Sequence, residues 1–221
     1  MTVISSWNVN SIRVRANHVI KFIEEFKPDI LLIQEIKCID EEFPDFYSNL
    51  GYKSIINGQK AKYGVATIFK KNLIPKSIEI NNEILNSQSR IQVINFQSLN
   101  LNVINLYTPN GNPLTDVNKF DFNLKWYEEV YQLIEKFTDN KQNLLVGGDF
   151  NVIENINCAL NFRECVNDAL GHIKVRSKFR EFLSLGLTNL TRIFYKPGQI
   201  FSFWDYQRSS WERNDGILID H

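Results

Sequence analysis

Short apolar runs alternate with stretches of helical periodicity from the first residues of this 221-residue chain. Residues 2–9 are rich in β-branched side chains, and residues 30–33 are continuously apolar, which is typical of a strand buried on both faces. Between these runs, apolar side chains recur every three or four positions up to Phe26, and this spacing predicts a helix that ends before Pro28. The pattern therefore predicts strand, helix and strand in that order.

The same alternation continues to the end of the chain. Strands are predicted at residues 52–56, 65–69, 143–147, 201–206 and 217–220, a hairpin at 89–96 and 99–107, and helices at 40–50, 116–137 and around Val175, Phe179 and Phe182. This mixture of hairpins and single helices predicts an α/β fold with two packed mixed β-sheets flanked by helices, in a single domain over residues 1–221.

Charge is balanced, because 25 basic residues face 25 acidic ones, so no long-range field attracts nucleic acid or membranes. Binding to a polyanion would need a local basic patch. Residues 53–76 contain six lysines and no carboxylate, and a second, mixed region follows at residues 174–213: Arg176, Lys178, Arg180, Arg192, Lys196 and Arg208. The alternative is that both regions are ordinary solvated surface.

The three cysteines form no CxxC pair, and their odd number argues against a disulfide framework. The chain shows no signal peptide, and none of its apolar runs approaches the roughly 20 residues that a membrane span requires. These features predict a soluble, cytoplasmic protein that has no membrane partner.

Four of the predicted strand ends supply small, hard polar groups, and the site residues of packed α/β sheets gather at one rim. They are Asn8 and Asn10, Glu35, Tyr107, and Asp149 with Asn151 after the Gly147-Gly148 pair. The alternative for Asp149 and Asn151 is a turn or a helix N-cap, because both residue types favour these positions.

Such a set of residues suits metal-assisted hydrolysis of a phosphodiester. Oxygen ligands without His or Cys clusters favour Mg²⁺ or Mn²⁺ over zinc. The ion polarises a phosphoryl oxygen, and a free carboxylate can accept a proton from the attacking water. Amide and phenol groups can hold the phosphate and stabilise charge in the transition state.

Six short motifs follow one another over essentially the whole chain. They are WNVNSIR from Trp7, LIQEIK from Leu32, GQK from Gly58, NLYTPNG from Asn105, GGDFN from Gly147 and FWDY from Phe203. Together they resemble the exonuclease III family of apurinic/apyrimidinic endonucleases. The resemblance implies a four-layer α/β sandwich, a monomer, and Mg²⁺-dependent cleavage of double-stranded DNA 5′ to abasic sites. Exonuclease activity at 3′ ends and 3′-phosphatase activity often accompany it.

The resemblance also implies roles for the strand-end residues. Glu35 matches the principal metal ligand, with Asn8 beside it and Asp149 and Asn151 in the same metal site. Asp149 matches the residue that activates water or protonates the leaving group, and Asn151 the amide that positions the scissile phosphate. Tyr107 matches the phenol that stabilises the transition state.

Further residues match DNA contacts of the family. Asn110 matches a phosphate-side contact, and Asn10 stands where some relatives have Asp near the metal. Phe203, Ile217 and Ile219 match an apolar pocket for the base-free sugar, although an ordinary core strand is the alternative. The remaining predicted DNA contacts are Arg13, Lys60 in the 60–62 loop, Arg90 and Trp204.

The family pattern continues past His221 with a segment that ends in Ser-Asp-His. Asp220 matches the catalytic Asp with which that His pairs. The sequence is therefore expected to be a truncated member of the family that lacks its last strands and is impaired in cleavage. Two alternatives stay open, a non-catalytic DNA-binding remnant and a phosphatase of the same superfamily that acts on non-DNA phosphates.

Overall fold

The computed structural model describes residues 1–205 and 209–221, without the side chain of Glu164. The chain divides into two compact units. The first comprises Met1–Tyr107 and Lys141–Asp149, and the second comprises Thr108–Asn140 and Phe150–His221. Tyr206 and Arg208, which the sequence places in a strand and in the mixed basic region, lie outside the described residues.

The first unit contains a four-stranded mixed sheet. Its strands are β1 (Ile4–Asn8), β2 (Ile30–Gln34), β3 (Tyr52–Asn57) and β4 (Val65–Lys70), in the order β1-β2-β4-β3. The pair β1/β2 is parallel and the other pairs are antiparallel. A parallel pair requires a crossover connection, which here is the helix α1 (Ile12–Phe26).

A second four-stranded mixed sheet belongs to the same unit. Its strands are β5 (Pro75–Ile78), β6 (Ile91–Phe96), β7 (Leu101–Tyr107) and β8 (Leu144–Asp149), in sequence order, with the short helix α2 (Glu83–Asn86) between β5 and β6. The strands β6 and β7 form the predicted hairpin, whereas β7 and β8 are parallel.

The strand β2 is buried along its whole length because both of its faces are covered. Ile30 and Leu32 pack with side chains of the second sheet such as Phe96, whereas Leu31 and Ile33 pack with α1. Each fully buried side chain of this kind contributes about 1.5–3 kcal/mol. The predicted fold class, with two packed mixed sheets and flanking helices, is confirmed.

The second unit contains the longest helix, α3 (Val117–Asp139), followed by α4 (Phe162–Cys165), α5 (Ile173–Ser184) and α6 (Leu190–Phe194). The helices α3 and α5 pack together, and the rings of Tyr127 and Phe182 stack at 5.5 Å. The two-residue strands β9 (Phe203–Trp204) and β10 (Gly216–Ile217) form an antiparallel pair. No helix in the described part of the chain has the length and apolarity needed to cross a membrane.

The predicted helix at residues 40–50 is wrong. Two single 3₁₀ turns, Asp40–Glu42 and Ser48–Leu50, occupy this stretch. Phe43 is extended, with φ −70° and ψ 120°, because it precedes Pro44, which disfavours helical geometry in the residue before it. The periodicity of the sequence also gave no sign of β5, α2 or α6, which are short.

Gly148 should be essential to the second sheet, because its φ is +141° and a Cβ there would lie 2.0 Å from the carbonyl oxygen of Leu106. We expect Gly148→Ala to lower the free energy of unfolding by roughly 2–4 kcal/mol, measured by urea denaturation. Gly51→Ala is the matched control, because Gly51 has φ +85° with nothing within 4 Å of its Cβ position. The control should lose only about 1–2 kcal/mol, and equal losses would contradict the steric explanation.

Candidate active site

Two parallel strand pairs bring the predicted strand-end residues of the first unit together. Asn8 is the register partner of Gln34 at the end of β1 and β2, and Tyr107 is the register partner of Asp149 at the end of β7 and β8. Parallel strands end at the same edge of a sheet, and ligands bind outside the carboxyl ends of such strands. Both pairs therefore end in polar side chains, with Glu35 directly after β2.

The amide of Asn8 joins two carboxylates. Its Nδ2 donates to Glu35 Oε1 and to Asp149 Oδ2, both at 2.9 Å. Its Oδ1 accepts a hydrogen bond from the backbone N–H of Asn10 at 3.0 Å, which fixes the orientation of the amide. One side chain of β1 thus holds the two carboxylates that the sequence singles out for metal binding and water activation.

The pKa of the Glu35 carboxyl reflects two opposing effects. Burial raises this pKa, but hydrogen bonds from Asn8, Lys37 and Tyr107 outweigh burial and hold it below its usual value. The ammonium of Lys37 lies 2.9 Å from Glu35 Oε2, and it also donates to Asn10 Oδ1. Glu35 is therefore ionised at neutral pH.

Tyr107 is the uncharged donor of this cluster. Burial and the Glu35 carboxylate raise the pKa of its phenol far above the ordinary value. The hydroxyl therefore keeps its proton at neutral pH and acts as a hydrogen-bond donor, as stabilisation of a negatively charged transition state requires.

The backbone around the cluster is strained and cross-linked. Asn10, Glu35 and Lys37 have φ of 44°, 55° and 55°, a region in which non-glycine residues are uncommon. Hydrogen bonds between loops maintain these conformations, such as Ser11 N–H to Glu35 O at 2.7 Å and Lys37 N–H to Tyr63 O at 2.9 Å. The segments that follow β1 and β2 are thus fixed to each other and to the turn before β4.

A buried amide pair supports the cluster within the first unit. Gln34 Nε2 donates to Asn105 Oδ1 at 2.8 Å, and Asn105 Nδ2 donates to the carbonyl of Ala66 at 3.0 Å. Gln34 and Asn105 are completely buried. Their hydrogen bonds connect β2 to β7, so the ends of the two sheets that carry Glu35 and Tyr107 are joined directly.

The other predicted residues of the first unit differ in exposure. Arg13 is exposed and forms an ion pair with Glu42 at 2.9 Å. Lys60 lies in an exposed turn. Arg90 is only 5% exposed. Contact of each of these residues with DNA stays a prediction.

Asn110 and Asn151 meet in the second unit. Asn110 Nδ2 donates to Asn151 Oδ1 at 3.1 Å, and Asn151 Nδ2 donates to the carbonyl of Thr108 at 2.8 Å. The φ of Asn151 is 48° and its side chain is 4% exposed. Both ends of the amide are therefore held in one orientation, as phosphate positioning would require.

The predicted sugar-pocket residues also lie in the second unit. Phe203 and Ile217 are register partners in the β9/β10 pair, and Phe203 is 40% exposed. Ile217 and Ile219 belong to a small apolar cluster with Ile153. Trp204 Nε1 donates to Asn214 Oδ1 at 3.2 Å. The structure brings Phe203 and Ile217 together, while their role in DNA binding stays a prediction.

Asp220 and His221 follow this apolar cluster. The backbone N–H of Asp220 donates to Ser202 Oγ at 3.1 Å. His221 lies against the rings of Phe150 and Phe179, and burial lowers its pKa to about 4. His221 is therefore neutral at physiological pH.

Two carboxylates and an amide form a donor set that fits a hard divalent cation. Mg²⁺ commonly takes one or two carboxylates from the protein and keeps several waters, so Glu35 and Asp149 with Asn8 are a sufficient set. No group of three or more His, Cys, Asp or Glu side chains suited to a metal occurs among the residues that the structure describes. When bound, the cation would polarise a phosphoryl oxygen and stabilise charge on the leaving oxygen.

Lys37 and Tyr63 have no role in the predictions from the sequence, yet both contact the cluster. Lys37 lies in the LIQEIK motif, two positions after Glu35, and this spacing was the only available signal. Tyr63 stacks on the guanidinium of Arg90. Its place beside Arg90 depends on pairing between distant segments, which a single sequence does not reveal.

The Endonuclease/Exonuclease/phosphatase family profile matches residues 5–221 of the chain. Exodeoxyribonuclease III of Haemophilus influenzae is 31% identical, over 98% of this chain and 85% of that protein. An AP endonuclease from Archaeoglobus fulgidus superposes with a TM-score of 0.90 at 29% identity, over 100% of this chain and 85% of the other. A 3′ phosphatase from Neisseria, solved with a product DNA hairpin, gives 0.91 at 26% identity over 100% and 85%.

The Asn8 amide should control the ionisation of Glu35. We expect Asn8→Ala to raise the Glu35 pKa, measured without metal by ¹³C-carboxyl NMR, because a donor that lowers it is lost. Because the folded pKa is lowered, ionised Glu35 stabilises the fold at pH values above its usual pKa of 4.5, and this contribution is lost as the pH falls through the folded pKa. The free energy of unfolding of the variant should therefore be lower than that of the wild type by about 1–3 kcal/mol at pH 7, and by less at lower pH.

Asn95→Ala is the matched control, because Asn95 donates to Asn102 within the second sheet and contacts neither carboxylate. An unchanged Glu35 titration in Asn8→Ala, or an equal change in the control, would contradict the role of the bridging amide.

Proposed function

Because this chain belongs to the Endonuclease/Exonuclease/phosphatase family, we propose that it is a DNA-repair phosphodiesterase that cleaves the backbone 5′ to abasic sites. The observation that carries this proposal is the Asn8 amide, which holds Glu35 and Asp149 together beside the Tyr107 phenol. Double-stranded DNA with abasic sites or 3′ ends is the proposed partner. We propose a cytoplasmic monomer that uses Mg²⁺, with Mn²⁺ as an alternative ion.

Each side chain of the cluster has a role that follows from its charge. Glu35, ionised at neutral pH, would hold the cation together with Asn8 and Asp149. Asp149 accepts a proton from the attacking water, a function that requires a carboxylate close to the reacting phosphate. Tyr107 donates its hydroxyl proton in a hydrogen bond to the phosphate as negative charge develops. Asn151, two positions after Asp149 in the sequence, positions the phosphate through an amide that its neighbours already orient.

Cleavage at 3′ ends is the second proposed activity. Similar structures from Neisseria are described as a 3′ phosphatase and as a 3′–5′ exonuclease, at 26% and 28% identity. All three reactions are hydrolyses of a phosphate ester in DNA, so one cation site and one water-activating carboxylate serve each of them. The relative rates on the three substrates would then depend on how the DNA end or the abasic sugar is held.

The decisive measurement is incision of a fluorescent duplex that carries a tetrahydrofuran abasic analogue, with Mg²⁺ or with EDTA. We expect Mg²⁺-dependent cleavage 5′ to the analogue, and a rate for Asp149→Asn that is roughly 10²–10⁴-fold lower. Asp45→Asn, an exposed change of the same kind in the same unit, is the matched control and should retain the wild-type rate. Duplexes with a recessed 3′ end or a 3′ phosphate measure the two further activities.

The alternatives predict other results. A gel shift without turnover on any of the three substrates would support a non-catalytic DNA-binding protein. Release of phosphate from inositol phosphates but not from DNA would support a phosphatase for non-DNA substrates. Equal rates for Asp149→Asn and the wild type would contradict the assigned chemistry. Impaired cleavage, which the sequence leads us to expect, stays a prediction. The absolute turnover rate on the abasic duplex tests it.

A further inference from the structure

Arg90 is a buried cation with unusual partners. Its side chain is 5% exposed, and it precedes the first residue of β6. A buried charge is costly unless other groups compensate for it. Among the residues that the structure describes, no carboxylate forms an ion pair with Arg90. Instead, the central carbon of its guanidinium lies 3.8 Å from the ring centroid of Tyr63 and 4.4 Å from that of Tyr107.

The guanidinium thus lies against two aromatic rings. Arg is the cation best suited to such stacking, because its guanidinium is planar and weakly hydrated. Its N–H groups have partners as well, since Nε donates to Gln88 Oε1 at 2.5 Å and Nη1 donates to the carbonyl of Tyr107 at 3.1 Å. These contacts direct the cation toward protein groups and away from solvent.

Tyr107 is held by Arg90 in three ways. The guanidinium packs on its ring, Nη1 binds its carbonyl oxygen, and its own backbone N–H donates to the carbonyl of Arg90 at 2.8 Å. Main chain and ring are therefore fixed against one residue. Because the hydroxyl lies at the far end of a rigid ring, the direction in which the ring points determines where the hydroxyl meets Glu35.

Tyr63 connects the same stack to the carboxylate cluster. Its ring covers the guanidinium, and its carbonyl oxygen accepts the N–H of Lys37 at 2.9 Å. Lys37 in turn forms the ion pair with Glu35. The three side chains of the stack thus belong to the same rigid frame as the loop that carries Glu35.

We infer that Arg90 and Tyr63 are positioning residues for Tyr107: the guanidinium, packed against both rings, fixes the direction in which the phenol ring points and so places its hydroxyl for the reaction. This inference rests on the proposed function, in which Tyr107 contacts the reacting phosphate. It differs from a direct DNA contact, because a phosphate-binding Arg presents its charge to the ligand, whereas this charge is used within the protein.

A double-mutant cycle on the abasic duplex tests the inference. We expect Arg90→Met to lower kcat roughly 10²-fold with little change in KM, since a small displacement of a reacting group has an effect of this size. In the Tyr107→Phe background, Arg90→Met should lower kcat by less than about twofold, because the hydroxyl that Arg90 positions is already absent. Arg90→Lys, which keeps a cation on the rings, should recover part of the loss.

Tyr63 provides a second pair of variants. Tyr63→Phe keeps the ring against the guanidinium and should lose less activity than Tyr63→Leu, which removes it. The melting temperature of every variant is measured alongside. Losses in kcat that track the melting temperature, rather than the presence of the ring and the cation, would overturn the inference in favour of a purely structural stack.

A direct phosphate contact predicts different numbers. Arg90→Met would then raise KM and reduce the slope of the logarithm of the DNA-binding constant against the logarithm of the salt concentration by about one. It would also lower activity by the same factor with or without the Tyr107 hydroxyl. That result would also overturn the inference.

A readout without catalysis separates this inference from the proposed function. The chain has eight tyrosines, and after labelling with 3-fluorotyrosine the ¹⁹F signal of Tyr107 is the one that Tyr107→Phe removes. We expect Arg90→Met to shift and broaden this signal, and Arg90→Lys to do so less. If the wild type cleaves no substrate but the signal responds in this way, the proposed function fails and the positioning stands. An unchanged signal would overturn the positioning itself.

Discussion

The carboxylates of Glu35 and Asp149 contact the same amide group, that of Asn8, and repel each other. The structure of the first unit depends on keeping them close together despite this repulsion. Glu35 Oε1 and Asp149 Oδ2 both lie 2.9 Å from Asn8 Nδ2, so they are at most about 6 Å apart. At an effective dielectric constant of about 20, two such charges repel by roughly 3 kcal/mol. The Asn8 N–H bonds and the Lys37 ammonium offset this repulsion, and a divalent cation would offset it further.

The strand topology explains how residues so distant in sequence meet. Most strand pairs in the two sheets are antiparallel, but β1/β2 and β7/β8 are parallel. Each parallel pair places two strand ends side by side, which gives Asn8 with Gln34 and Tyr107 with Asp149 as register partners. The Gln34–Asn105 hydrogen bond then joins the two sheets at this end. Parallel pairing therefore occurs where side chains from separate parts of the chain must share a site.

The sequence predicted much of this arrangement, for a physical reason. A continuous apolar run as short as β2 favours a strand buried on both faces, and polar residues at the end of such a strand are expected at a sheet rim. Asn8, Glu35, Tyr107 and Asp149 were found in this way. What the sequence could not supply is orientation. It does not reveal that the Asn8 amide bridges two carboxylates, because this contact depends on the packing of two sheets.

Local signals were weaker where the chain is irregular. Residues 40–50 carry helical composition, yet Pro44 limits them to single turns. Tyr63 carried no signal of its own, because a tyrosine beside a glycine is common on surfaces, and the only signal for Lys37 was its spacing from Glu35. Only the register between β2 and β4 places Tyr63 next to the loop that holds Glu35. Long-range pairing, which spacing along one sequence does not encode, explains the omission of Tyr63.

Two cations that contact the site, Lys37 and Arg90, show how a chain without net charge can still build a charged site. Lys37 contacts Glu35, and Arg90 contacts the face of Tyr107. One cation lowers the free energy of an ionised carboxylate, whereas the other fixes a phenol that must stay protonated beside it. Both are held before any ligand arrives. Reorganisation during the reaction is therefore small, and this is the condition under which oriented charges and dipoles lower a reaction barrier most effectively.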